Sequence, residues 1–112
     1  MPPEPVLERR TAMRYKLRLP VIFHWNDGVD HTEGGFTTDV ALNGALILSS
    51  IRPPLGADVR IEVLIPSPDH SAEEIRIECL GKVTRVADHL GSSFFGVRGT
   101  FNDDHLTRHV LM

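Results

Sequence analysis

The chain has 112 residues, 41% of them hydrophobic, and a formal net charge of −3. That length favours one domain with a single modest core. The acidic balance argues against a protein that coats long nucleic acids, and no apolar run approaches the roughly 20 residues that cross a bilayer. Cys79 is the only cysteine, which excludes an internal disulfide and any C-x-x-C metal or redox motif.

The opening Met1-Pro2-Pro3-Glu4-Pro5 lacks the basic and apolar regions of a secretory signal, so a cytoplasmic chain without membrane insertion is expected. Residues 1–8, with three prolines, read as a flexible N-terminal arm. From Leu17 the odd positions Leu17, Leu19, Val21, Phe23 and Trp25 alternate with Arg18, Pro20, Ile22 and His24, the period of a half-buried strand. Asn26-Asp27-Gly28 marks a turn. Gly35–Val40 and Gly44–Ser49 are short β-prone runs, and Pro53-Pro54-Leu55-Gly56 then breaks the chain. Val59, Ile61, Val63 and Ile65 give another alternating strand, followed by the loop Pro66-Ser67-Pro68-Asp69. Ile75, Ile77, Cys79 and Val83 share a face of a longer strand with Gly81 as its expected bulge or bend, and Phe95, Val97 and Phe101 share a face of the last. Asn102 is placed to cap a short helix over residues 102–112 that Leu106 and Val110 would dock onto the sheet. The expectation is an all-β domain over residues 9–101, a six-stranded antiparallel barrel with a short C-terminal helix.

Charge is unevenly spread: Arg9, Arg10, Arg14, Lys16 and Arg18 crowd one short stretch. Within it, Arg10-Thr11-Ala12-Met13-Arg14 forms an R-x-x-x-R pattern. Asp39-Val40-Ala41-Leu42-Asn43-Gly44 forms D-x-A-x-x-G at the turn between the second and third strands. Taken singly, the arginines read equally well as solvated charges, Asp39 as the cap of its own turn, and Gly44 as a turn glycine. In this order on a β-rich chain, the two patterns resemble the signature of the PilZ family. Glu8-Arg9-Arg10, Pro54-x-Gly56, Gly81-Lys82-Val83-Thr84-Arg85-Val86 and Phe95-Gly96-Val97 extend the resemblance over most of the chain.

The resemblance implies a β-barrel receptor or adaptor for the second messenger cyclic di-GMP, signalling to an unidentified downstream protein in motility, biofilm or exopolysaccharide control. The residue types suit that ligand. A guanidinium fork pairs bidentately with a phosphate or with guanine O6/N7, a carboxylate accepts from guanine N–H donors, and a glycine permits close approach. The expected ligand-binding residues are Arg9, Arg10, Arg14, Asp39, Ala41, Gly44 and Arg85, with no cofactor and no metal. Ala41 stands where many members carry serine. In the family an arginine at the position of Arg9 accompanies an intercalated pair of ligands; here it reads equally as a solvent-facing charge.

For Arg85 two readings stand. Strict alternation places it at the end of the apolar face of Ile77, Cys79 and Val83, whereas a bulge at Gly81 exposes it to solvent. Arg98 reads as a surface charge, His105 and His109 as solvated helix residues, Cys79 as a small buried hydrophobe, and Trp25 and Phe23 as core or rim. The alternative is a PilZ-fold interaction protein of pilus or flagellar assembly that binds no nucleotide. No catalytic constellation or phosphate-cradling motif supports an enzyme.

Overall fold

The computed structural model describes residues 14–66 and 75–102. Six strands follow in chain order: β1 (Pro20–Asn26), β2 (Asp30–Ala41), β3 (Gly44–Ser49), β4 (Asp58–Ile65), β5 (Ile75–His89) and β6 (Ser92–Asn102). They close into a barrel in the order β1-β2-β3-β6-β5-β4, with every pairing antiparallel. Closure leaves no unpaired sheet edge, which is how so short an all-β chain satisfies its backbone. The expected arm (residues 1–8), Arg9 and Arg10, and the C-terminal helix beyond Asn102 lie outside the described residues. Among the described residues no helix is long and apolar enough to cross a membrane.

The interior is filled by the alternating residues. Val21, Phe23 and Trp25 of β1 meet Val59, Ile61 and Val63 of β4, with Ile47, Cys79, Val83, Phe95 and Val97 completing the core. Phe95 packs edge-on to Phe23 at 4.9 Å between centroids, and His31 stacks on Trp25 at 4.4 Å across the β1–β2 ladder. Asn26-Asp27-Gly28 does turn the chain: Gly28 has φ +106° and donates its N–H to Asn26 Oδ1 at 2.9 Å. Leu90-Gly91, which the alternation did not single out, makes the β5–β6 hairpin with positive φ at both residues.

Three strand expectations need correction. β1 starts at Pro20, not Leu17. Residues 17–19 are instead tied to β2 through the fully buried Thr37, whose hydroxyl accepts from the Leu19 N–H at 2.9 Å and donates to the Leu17 carbonyl. β2 begins at Asp30, because pairing with β1 recruits the polar, glycine-rich stretch from Asp30 to Gly34 that has no strand signature of its own. The irregularity of β5 falls between Val83 and Arg85 rather than at Gly81, which pairs in register with Val59 and Gly99.

Cys79 sits opposite Ile61 on one side and Phe101 on the other and is fully buried. Burial pushes its thiol up to about 11, far from thiolate formation at neutral pH. A thiol-specific disulfide reagent at neutral pH should therefore label the native chain only as fast as it opens, and the denatured chain at once. Prompt labelling of the native chain would contradict this core.

Candidate functional site

Two β-bulges shape the outer face of the barrel. In β2 the register shifts between Thr37, which pairs with Ile47, and Asp39, which pairs with Leu46, so Thr38 is the extra residue. In β5 it shifts between Val83, which pairs with Val97, and Arg85, which pairs with Gly96, so Thr84 is extra. Each threonine hydroxyl donates a long 3.4 Å bond to the carbonyl opposite, Thr38 to Leu46 and Thr84 to Gly96. Thr37 and Val83 point into the core. Unbroken alternation would send Asp39 and Arg85 inward after them; one inserted residue in each strand turns both outward.

Because Leu46 pairs with Gly96, the bulges face each other along one row, Asp39–Leu46–Gly96–Arg85, running across β2, β3, β6 and β5. Gly96 leaves a gap in that row that the Arg85 stem fills: a Cβ there would lie 3.1 Å from Arg85 Cγ and 3.2 Å from its Nε. The neighbouring outer row is Ala41–Gly44–Arg98–Lys82, small on β2 and β3 and cationic on β6 and β5. Ahead of β1, Tyr15 is held against β2 by two backbone bonds, its N–H to the Val40 carbonyl at 2.8 Å and the Val40 N–H to its own carbonyl at 2.9 Å. That bridge brings Arg14 to the same face.

The result is a pocket of about 220 Å³ whose lining includes Arg14, Asp39, Ala41, Gly44, Arg85 and Arg98. Five of the seven residues expected from the sequence thus lie together, and the other two, Arg9 and Arg10, fall outside the described residues. Thr84 and Arg98 also line it, which sequence reading did not anticipate. The signal for Thr84 was its place beside Arg85, but a bulge residue has no period of its own.

Electrostatically the pocket is under-neutralised. Arg52, Arg60, Arg76 and Lys82 each meet a carboxylate at 2.6–2.9 Å. Among the described residues, none of Arg14, Arg85 and Arg98 has a carboxylate partner. Among the described residues the Asp39 carboxylate, 21% exposed, pairs only with Lys16 at 3.8 Å, and that ammonium is 89% exposed, so the pair is weak. A larger groove of about 880 Å³ lies on the side of the β1–β2 turn, lined among others by His24, Trp25, Asp30, His31, Asp58 and Lys82. Several of its polar groups pair with one another, Lys82 with Asp58 at 2.7 Å, His31 with Asp27 at 2.9 Å and Asn26 with Asp30 at 2.5 Å. Trp25 Nε1 is buried without a hydrogen-bond partner among the described residues, and Arg98 lines this groove as well as the smaller pocket. Size favours that groove, but the gathering of Arg14, Arg85 and Arg98, none with a carboxylate partner among the described residues, favours the smaller one.

The PilZ domain family model matches residues 8–111, and the chain belongs to that family. Its fold resembles two solved structures. One is the Bacillus subtilis inhibitor of motility (MotI/DgrA), with a TM-score of 0.66 and 14% identity over 92% of this chain. The other is the PilZ domain of CeSA from a cellulose-synthesizing bacterium, with a TM-score of 0.51 and 20% identity over 88% of this chain and 95% of that one. The chain spans 50% of the length of the Bacillus protein. No curated protein matches it.

Two glycines of the site should respond differently to the same methyl. At Gly96 the obstacle is the flexible Arg85 stem, so Gly96→Ala should shift the Arg85 Nε–H resonance and leave the melting midpoint nearly unchanged. At Gly44 a Cβ would collide with the Val97 carbonyl, so Gly44→Ala should cost about 1–3 kcal/mol in denaturant unfolding. Equal effects from the two substitutions would contradict the packing of these rows.

Proposed function

We propose that the chain is a cyclic di-GMP receptor of adaptor type, which passes ligand occupancy to a separate protein. The observation that carries this reading is the convergence of Arg14, Arg85 and Asp39 on one pocket, with neither guanidinium paired to a carboxylate among the described residues. Phosphodiester oxygens and guanine O6/N7 are acceptors that such forks meet bidentately, and guanine N1–H and N2–H are donors that the Asp39 carboxylate can take up. The Tyr15–Val40 bridge holds the chain beside the pocket shortly after Arg9 and Arg10 in sequence, which supports the reading that these two arginines also contact the ligand. In this reading the arginine segment closes over the bound dinucleotide, which changes the surface that a partner meets, and this change is the signal. The name of the Bacillus neighbour, an inhibitor of motility, supports a partner in motility or surface behaviour.

Isothermal titration of the full chain with cyclic di-GMP tests this reading. Heat should be seen at micromolar protein, and Arg14→Ala and Asp39→Ala should each weaken binding roughly tenfold or more, as for loss of a charge-assisted bond. Ala41→Ser should strengthen binding by up to about tenfold, the effect of one added neutral hydrogen bond. Absence of heat, or an Arg14→Ala variant that binds like the parent, would overturn the reading and leave the protein-interaction alternative.

A further inference from the structure

We infer that Arg98, on β6, is a further ligand-contacting residue of this site and supplies its third guanidinium. The inference rests on the cyclic di-GMP reading above and extends it to a residue outside both sequence patterns. Three features of the chain point to it. Arg98 is flanked on its own row by Lys82 of β5 on one side and by Gly44 of β3 on the other, with Ala41 beyond Gly44. Gly44 and Ala41 carry almost no side chain, so the row is open on that side for the long Arg98 side chain to lie over them. That side of the row is the pocket, which Arg98 lines, as it also lines the larger groove on its Lys82 side.

The second feature is the difference in neutralisation within the Arg98–Lys82 pair. Lys82 reaches Asp58 at 2.7 Å, while Arg98 has no carboxylate among the described residues. An arginine kept unpaired beside another cation is poorly placed for stability and well placed for an incoming anion. The third feature is charge matching. Among the described residues the pocket lining carries three guanidiniums, Arg14, Arg85 and Arg98, against one carboxylate, Asp39, an excess of positive charge that suits a ligand with two phosphodiester anions. Arg85 and Arg98 stand on adjacent strands and adjacent rows, so one phosphate can take a fork from each, with the Arg14 fork left for the other end of the ligand.

The test is titration of the full chain with cyclic di-GMP at two salt concentrations, for the parent, Arg98→Ala, Arg98→Lys and Lys82→Ala, with melting midpoints alongside. Arg98→Ala should lose roughly ten- to hundredfold in affinity, more at low salt than at high, with its midpoint unchanged. Arg98→Lys should recover part of the loss, since an ammonium keeps the charge and forfeits the fork. Lys82→Ala should stay within about twofold of the parent, because Asp58 already neutralises that ammonium. Parental affinity in Arg98→Ala, with Arg14→Ala still impaired, would overturn this inference and spare the wider reading. A parent chain that takes up no cyclic di-GMP would overturn both.

Discussion

Side chains of a strand alternate rigidly between its two faces, and in a closed barrel one of those faces is the core. Here the core is packed with Phe23, Ile47, Ile61, Cys79, Val83 and Phe95, all essentially inaccessible to water. A charged residue that falls on the inward phase has nowhere to go: burying an unpaired carboxylate or guanidinium there would cost more than the barrel can spare. Asp39 and Arg85 both fall on that phase. The chain resolves the conflict twice by the same device, inserting Thr38 in β2 and Thr84 in β5 so that the phase resets just before the charge. Because the two resets stand opposite each other across β3 and β6, the displaced charges meet on one outer row. The pocket follows from that coincidence.

Much of this was legible in the chain itself. The alternations of Val21, Phe23 and Trp25 and of Val59, Ile61 and Val63 announce strands because both sets face a dry core, and burial is what imposes the period. Six strands and a closed barrel followed from them. The polar residues from Asp30 to Gly34 were unreadable as strand for the complementary reason: they join β2 through ladder bonds to β1, a long-range pairing that leaves no mark on local composition. Leu17 and Leu19 kept the strand period while lying outside β1, held instead by the Thr37 hydroxyl. The site was partly legible through spacing and type, as with Arg14, Asp39, Ala41 and Gly44. Bulge position was not, since glycine at 81 is the more obvious breaker and threonine at 84 is a good strand former. Arg98 looked like any outward charge because its small neighbours, Gly44 and Ala41, are distant in sequence.

The remaining charges show how the pocket differs from ordinary surface. On the opposite side of the barrel, burial pushes the Glu62 carboxyl up, yet Arg60, His24 and Arg76 together hold it below its usual range. At the far end of β5, the Arg52 fork, assisted by Ser93, pulls the Asp88 carboxyl down to about 2. These clusters are self-contained and have nothing left to offer a ligand. Around the pocket the pattern inverts, with cations outnumbering their partners in a chain whose net charge is −3. Local arrangement, not overall balance, determines what such a small domain attracts.

The most direct measurement is a map of backbone amide shifts as cyclic di-GMP is added to the isotope-labelled full chain. The account predicts that shifts concentrate on the end of β2 from Asp39, the start of β3, the β5 bulge at Thr84 and Arg85, and Gly96 to Arg98 of β6. The larger groove at His24, Trp25 and His31 should stay silent. Shifts centred on that groove, or none at the two bulges, would contradict the claim that the bulges build the site.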